Sequence, residues 1–455
     1  MTTHEIHRPI EDDEQVMEIL DLTVNLNSLE LSLDSSYLAV QRVSSAFSTL
    51  EVLQHLSLSE PLLPADRSWV PHALRALRAP LISLRITTSR YLSHSTPSAL
   101  AIHFDRNVSH FATSSTLTSL HLTRIPMYDG TFLGLPRFPS VRSLTVDQRL
   151  PREPKMDALL HLFPSLDRWL HLRVEHWKAL DIASNPQELA AIQAANTRAQ
   201  EAFRWTKLDK LDCESSTALM LALRCPVRHL TIDCFDIPAI VRVQPRHVVI
   251  DSIRLPLHCD ISHPLAATPE PVSTTHVVLI MVCNAQEYRN AKSNLYQTDN
   301  IRWDTVVRHA TYPLSAFSHA THARLVLHCS TGCTSDVNEE VEDLIRNSHD
   351  AATSAGRPPH PGILAACSAL RFFILTVDVR DETKSDPTLQ RWVGTRAWRV
   401  TNEREGQGLT ERPGGGDAPS KFEELNEYEA TMIMEDEDMS LPEGWEERPP
   451  SCFWG

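Results

Sequence analysis

In the first half of the chain, apolar residues recur at positions 1, 4 and 6 of short segments. Within TLTSLHLTRIPMYDGTFLGLPRFPSVRSLTV (116–146) the pattern occurs as Leu117, Leu120 and Leu122, and again as Val141, Leu144 and Val146, with starts 24 residues apart. Alternation of this kind places one side chain in two on the same side of a strand, so each copy predicts a short strand buried along one face. The pattern also appears at Leu26, Leu29, Leu31 and Leu33, at Leu53, Leu56 and Leu58, and at Leu81, Leu84 and Ile86, with successive starts 27 and 28 residues apart. Further copies are Leu170–Val174, Leu208/Leu211/Cys213 and Val227/Leu230/Ile232. Between them, VQRVSSAFSTLEVL (40–53), RSWVPHALRALRAP (67–80), SALAIHFDRNVSHFA (98–112) and MDALLHLFPS (156–165) have helical spacing, and the alanine-rich 186–206 reads as a helical insertion. A strand–return unit copied along a chain cannot bury its apolar face alone, and stacking on the next copy does so.

Proline marks several helix-to-strand boundaries, as in APLISLRI (79–86), FPSVRSLTV (138–146) and CPVRHLTI (225–232). Its ring removes a backbone donor and disfavours helix in the residue before it, so the helix stops where the strand must start. The second half keeps strand-like runs, RHVVIDSIRL (246–255), THVVLIMV (275–282), ARLVLHC (323–329) and LRFFILTVDV (370–379), at longer intervals. A loop is expected over 256–275, a helix near NEEVEDLIRNSHD (338–350) and a loop at SAGRPPHPG (354–362). The expected organisation is a polar acidic segment over 1–24, a repeat array over 25–260, degenerate repeats or an α/β cap over 261–400, and a tail over 401–455.

Composition changes this picture at the C-terminus. Residues 401–455 hold 15 Asp/Glu and 4 Lys/Arg, net −11 of the overall −15, and contain few aliphatics, which predicts a disordered acidic tail. The remainder, at −4, has no concentrated basic face, so no nucleic-acid partner is expected. The longest apolar run, VVLIMVC (277–283), falls short of the roughly 20 residues that span a bilayer, and MTTHEIHRPIEDDEQ has no apolar core after a basic start. No membrane association and a cytoplasmic or nuclear location are the expectation, with the nine cysteines reduced.

Chemistry-bearing motifs are sparse. Six glycines lie in residues 1–400, and none forms a phosphate-cradling G-x-G-x-x-G or G-x-x-x-x-G-K-[ST] loop. HCSTGC (328–333) offers His328, Cys329 and Cys333, which suit zinc only if a further ligand arrives from elsewhere. The second C-x-x-C of a structural zinc site is missing, so neither metal nor cofactor nor catalytic residue is expected.

The L-x-x-L-x-L units preceded by Phe-Pro-Ser or Cys-Pro resemble the leucine-rich repeats of fungal F-box proteins, closely over 25–260 and loosely over 270–400. The resemblance implies an α/β fold: a leucine-rich-repeat-like right-handed solenoid with a parallel concave sheet and irregular repeats. In that family an F-box helix bundle recruits the Skp1–cullin ligase and the repeats hold the substrate. The implied function is a non-enzymatic protein-interaction scaffold serving as substrate-recognition subunit of an SCF-type ubiquitin ligase, with Skp1 and a ubiquitination substrate as partners. Residues 1–24 lack the Leu-Pro-x-Glu start that opens an F-box, so a ligase-independent scaffold is the alternative, and an α/β enzyme with no sequence-local motif is the rival class. If positions 1, 4 and 6 point inward, the residues between them line the concave face. Arg85, Thr87, His121, Thr123, Thr145, Asp147, Thr231 and Asp233 are then the expected protein-binding row, a mixture of signs and hydroxyls suited to a protein partner.

Overall fold

The structure is a computed structural model that describes residues 20, 22–23, 25–32, 40–60, 69–88, 116–123, 137–147, 153–173, 185–255, 272–284, 310, 313–330, 367–380, 391–401, 421–439 and 441. The chain is α/β, with mostly parallel strands in an open sheet. It divides into two compact units, residues 1–228 and 229–455. The expected boundary near 260 lies among residues that are not described.

In the first unit, strands β1 (Ser28–Ser32), β2 (His55–Glu60), β3 (Ser83–Thr88), β4 (Ser119–Thr123), β5 (Ser143–Asp147), β6 (Trp169–Arg173) and β7 (Leu208–Cys213) are ordered as in the chain. All are parallel and in register, so Leu29, Leu56, Leu84, Leu120, Leu144, Leu170 and Leu211 form one buried row. Leu31, Leu58, Ile86, Leu122, Val146, Leu172 and Cys213 form a second. Positions 4 and 6 of the sequence pattern are therefore the two core rows, and position 1 (Leu53, Leu81, Leu117, Val141) is buried just before each strand.

A backbone ladder fixes the register at the strand starts. The Asn27 carbonyl accepts from the N–H groups of Gln54 and His55, at 2.9 and 3.1 Å, the Gln54 carbonyl from Ile82 and Ser83, and the Ile82 carbonyl from Thr118 and Ser119. The Thr118 and Arg142 carbonyls continue it to Ser143 and Trp169. Helices α1 (Val40–Ser48), α2 (Val70–Ala76) and α3 (Met156–Leu162) form where the spacing predicts them and bring Phe47, Trp69, Leu74, Leu159 and Leu162 into the core.

The alanine-rich insertion is α4 (Pro186–Ala202), started by Pro186 and by the Asn185 side chain, which accepts from the Glu188 N–H. It is followed by α5 (Ser215–Leu221). Two amides on one face of α4 are buried. Asn196 accepts from the Met156 N–H (3.0 Å) and donates to the Pro154 and Met220 carbonyls (2.9 and 2.7 Å). One turn on, Gln200 donates to the Leu221 and Ala222 carbonyls and accepts from the Arg224 N–H. Ala222, at φ 47°, is a left-handed helix cap without a glycine, and the Gln200 amide holds its carbonyl.

The second unit takes β8 (Val227–Ile232) from His229 onward, then α6 (Ile237–Val243), β9 (His247–Leu255), β10 (His276–Asn284), β11 (His322–Ser330) and β12 (Phe372–Arg380). These strands are parallel, and the ladder of shared carbonyls recurs at Arg246, Thr275 and Thr321. The parallel expectation fails after β12: β13 (Arg391–Thr401) and β14 (Lys421–Glu424) are antiparallel. The link between β12 and β13 is residues 381–390, shorter than the dozen or more residues a parallel crossover needs.

The expectation of disorder over 401–455 is also corrected at 421–436, where β14 and helix α7 (Glu427–Asp436) form. Asn426 and Glu429 close a capping box at the start of α7. Ala430, the buried residue of the helix, packs with the flanking Leu425 and Met439 against Val278, Ile280, Val326, Ile374 and Ala397, with Ile433 and Met434 partly buried beside them. Both faces of β10 and β11 are thereby covered, which explains why THVVLIMV is apolar without alternation. The helix expected at 338–350, the loop at 354–362, the segment 98–112 and residues 1–19 lie outside the described residues.

Candidate functional site

The face of the first unit opposite its core carries the expected binding residues in three rows. The row nearest the strand starts is His55, Ser83, Ser119, Ser143, Trp169 and Lys210, the last with its ammonium 5.0 Å from the Trp169 ring centre. The middle row is Ser57, Arg85, His121, Thr145, His171 and Asp212, and the third is Ser59, Thr87, Thr123, Asp147 and Arg173. The structure thus aligns six of the eight expected residues in adjacent rows, Arg85 exposed and the other five half-buried. His171 and Asp212 join the middle row and were missed, although Leu170–Val174 and Leu208/Leu211/Cys213 carry the same alternation.

Electrostatics along these rows are local. His171 Nδ1 and Asp212 Oδ2 are 3.0 Å apart. Burial works to raise the Asp212 pKa, but the His171 hydrogen bond and the charges of His171, Lys210 and Arg173 together hold it below the usual range. The Arg142 guanidinium grips Asp167 through two parallel hydrogen bonds, Nε to Oδ1 at 2.7 Å and Nη2 to Oδ2, and holds that carboxyl low. His121 Nε2 meets Thr123 Oγ1 at 2.9 Å, and burial, with the charge of Arg85 and then His171, pushes its pKa down to about 4.

A pH dependence follows. A histidine held neutral in the folded state, against an ordinary value near 6.5, favours folding fully above that value and loses the contribution as pH falls toward 4. Urea unfolding at pH 7 and pH 4.5 is expected to show that His121→Asn removes roughly 2 kcal/mol of the wild-type acid sensitivity. Equal acid sensitivity in the two proteins would show that His121 is not held neutral.

The other two expected residues lie in the second unit. Thr231 is only 4% exposed, so it does not line an open face: it pairs with Val249 in a row that continues through Val278, Arg324 and Ile374 under the α7 cover. Asp233, just past β8, is half-buried. Within the cover, Arg324 donates Nε and Nη2 to Thr376 Oγ1 (3.2 and 3.1 Å) and Nη1 to the Met439 carbonyl (2.6 Å), and burial lowers its pKa to about 10. His328, from HCSTGC, pairs with Asp378 at 2.7 Å, both side chains buried. Cys333 lies outside the described residues.

Sequence reasoning missed a column of imidazoles in this unit. His229, His247, His276 and His322 occupy the same register position of β8 to β11, and Phe372 continues the column in β12. Ring centres are 4.3, 4.1, 4.4 and 5.0 Å apart in that order, and the His276 and His322 planes differ by 6°. The sequence does carry a signal, RHL, RHV, THV, THA and RFF at the strand starts. Thr275 Oγ1 and Thr321 Oγ1 reach the Nδ1 atoms of His276 and His322 at 2.7 and 2.9 Å. Two carboxylates from the end of α7 meet the column, Glu437 at His276 Nε2 and Asp438 at His229 Nε2, each at 2.9 Å. Burial lowers the His276 pKa against the opposing pull of Glu437, and lowers that of His322 to about 4. The donor atoms of His276, His322 and Glu437 lie within 4.8 Å of one another, a grouping that can hold a metal ion.

Compared with known proteins, the chain matches no family model and no curated protein.

Proposed function

We propose that the chain is a non-enzymatic protein-interaction scaffold, a right-handed solenoid of leucine-rich-repeat type that binds its partner on the polar face of the first unit. One observation carries this reading: seven strands in chain order bury every second side chain in two continuous rows and present, on the other face, ranks of partly exposed Ser, Thr, His, Arg and Asp. Sequential order has no reversal point at which an α/β crevice opens, which favours a surface over a cofactor cleft. Rigid strands hold the ranks at fixed spacing, so specificity comes from the pattern of Arg85, His121, Thr145, Asp147 and Arg173. Recruitment to a ubiquitin ligase through Skp1 is the finer proposal, resting on the F-box resemblance.

The test is quantitative affinity purification of full-length protein against two variants, Thr145→Arg on the polar face and Arg42→Glu on α1. Proteins retained by wild type and Arg42→Glu but reduced at least tenfold by Thr145→Arg, with melting temperature unchanged, are the expected result. Identical retention by all three sinks the binding face. Skp1 and a cullin among the retained proteins support the ligase role, and their absence beside a face-dependent partner leaves the ligase-independent scaffold.

A further inference from the structure

We propose that His276, His322 and Glu437 form a binding site for a divalent transition-metal ion of the zinc class, which ties the end of α7 to strands β10 and β11. The site is independent of the polar face of the first unit.

Hydrogen-bond directions make the case for the imidazoles. The Thr321 hydroxyl donates to the Thr275 carbonyl at 3.2 Å, so its oxygen receives the proton of His322 Nδ1 at 2.9 Å. That assigns the tautomer and leaves His322 Nε2 as a bare lone pair. His322 is 8% exposed, and no hydrogen bond from a described residue reaches Nε2. Thr275 repeats the arrangement beside His276 Nδ1, with its hydroxyl also reaching the Arg246 carbonyl at 3.5 Å. His276 Nε2 faces a Glu437 oxygen at 2.9 Å, so a proton or a cation lies between them. Metal-bound histidines carry this same hydrogen-bonded second nitrogen, which fixes the ring and keeps the other free to ligate.

The backbone around Glu437 points the same way. Residues Glu435-Asp436-Glu437-Asp438 close α7, so four acids stand at the negative end of a helix dipole, where cations are favoured and carboxylates are not. Glu437 and Asp438 are held there by a tight cap: the Met439 N–H returns to the Met434 carbonyl, the Asp438 N–H returns to Glu435, and Asp438 takes φ 52°. The described cation nearest Glu437 by charge contact is Arg246, 4.0 Å away. Two imidazole nitrogens and one carboxylate, with a fourth position for water, match the donor set of zinc in His₂Glu sites. Tetrahedral ligation sets donor nitrogens roughly 3.3 Å apart for bonds of about 2.05 Å. The stacked rings therefore turn toward each other about χ2 on binding, from a starting separation inside 4.8 Å.

Full-length protein, stripped with a chelator, is titrated with Co(II) and then Zn(II). The expected result is one equivalent of Co(II) with the intense visible bands of tetrahedral N/O ligation, displaced by Zn(II), and an upward shift of the melting temperature with Zn(II). His322→Phe, which keeps a stacked ring like its neighbour Phe372, and Glu437→Gln each weaken binding at least tenfold with far-ultraviolet circular dichroism unchanged. Absence of Co(II) binding by wild type overturns the site, as do variants that bind like wild type or a spectrum dominated by thiolate-to-cobalt charge transfer. Should either variant fail to fold, an anomalous-scattering map of zinc-soaked wild-type crystals decides: a peak between the two Nε2 atoms and the Glu437 carboxylate supports the site, and a peak elsewhere or none overturns it.

Discussion

A chain ending at residue 420 is expected to lose the stability of its second unit. Without α7 and its flanks, Val278, Ile280, Val326 and Ile374 lose the cover supplied by Leu425, Ala430 and Met439. Exposing an aliphatic side chain that was fully buried costs about 1.5–3 kcal/mol, so four of them cost on the order of 6–12 kcal/mol. The whole stability of a domain is about 5–15 kcal/mol, so this single loss is comparable with the total. Arg324 also loses the Met439 carbonyl that one arm of its buried guanidinium contacts, leaving a charge short of a partner. Hydrogen exchange read separately over 1–228 and 229–401 is expected to show protection collapsing in β9 to β12, with binding of a dye specific for exposed apolar surface and a tendency to aggregate. Ala430→Asp, which puts a carboxylate under the helix without deleting it, is expected to show the same changes at smaller amplitude. If the shortened chain kept its melting temperature and bound no dye, α7 would be resting on the face without holding it.

This cover was invisible to composition for a physical reason. A segment with net charge −11 and few aliphatics reads as unable to bury itself, and alone it does not need to. Its three apolar anchors, Leu425, Ala430 and Met439, complete a surface built by Val278, Ile280, Val326, Ile374 and Ala397 from four earlier strands, β10 to β13. Local periodicity reports what a segment buries against its neighbours in sequence, which is why β1 to β7 could be read from Leu-x-x-Leu-x-Leu and the starts of α1 to α4 from helical spacing and proline. That Arg85, Thr87, His121, Thr123, Thr145 and Asp147 share the face opposite the core followed from the same alternation. Thr231 did not, because its face is closed by an element the alternation cannot see. The histidine column escaped for a related reason. Its members are separated by 18, 29 and 46 residues, and only the register set by the shared carbonyls at Arg246 and Thr275 puts them side by side.

Asn196→Leu is expected to be among the most damaging single substitutions in the first unit, although the residue sits on a helix whose sequence looks like a solvated insertion. Leucine matches the shape and removes all three hydrogen bonds, leaving the Met156 N–H and the Pro154 and Met220 carbonyls without their amide partner. Each buried backbone group left unsatisfied costs about 1–3 kcal/mol, which puts the loss at roughly 3–5 kcal/mol after some relaxation toward water. For a unit of this length that corresponds to a fall in melting temperature of about 10 °C. Gln200→Leu releases a different set, the Leu221 and Ala222 carbonyls and the Arg224 N–H, and with it the support for the left-handed cap at Ala222. The two amides share one helical turn, and Gln200 also donates to the Asn196 carbonyl at 3.0 Å. The double variant should therefore lose less than the sum of the singles, since the second substitution acts on a helix already detached. Arg198→Ala, exposed on the same helix, is the control and is expected to stay within about 0.5 kcal/mol of wild type. Denaturant unfolding of wild type and the four variants measures all of this. A cost below about 1 kcal/mol for Asn196→Leu would mean that water, rather than α4, satisfies the ends of α3 and α5, and that the insertion lies on the array without being part of its core.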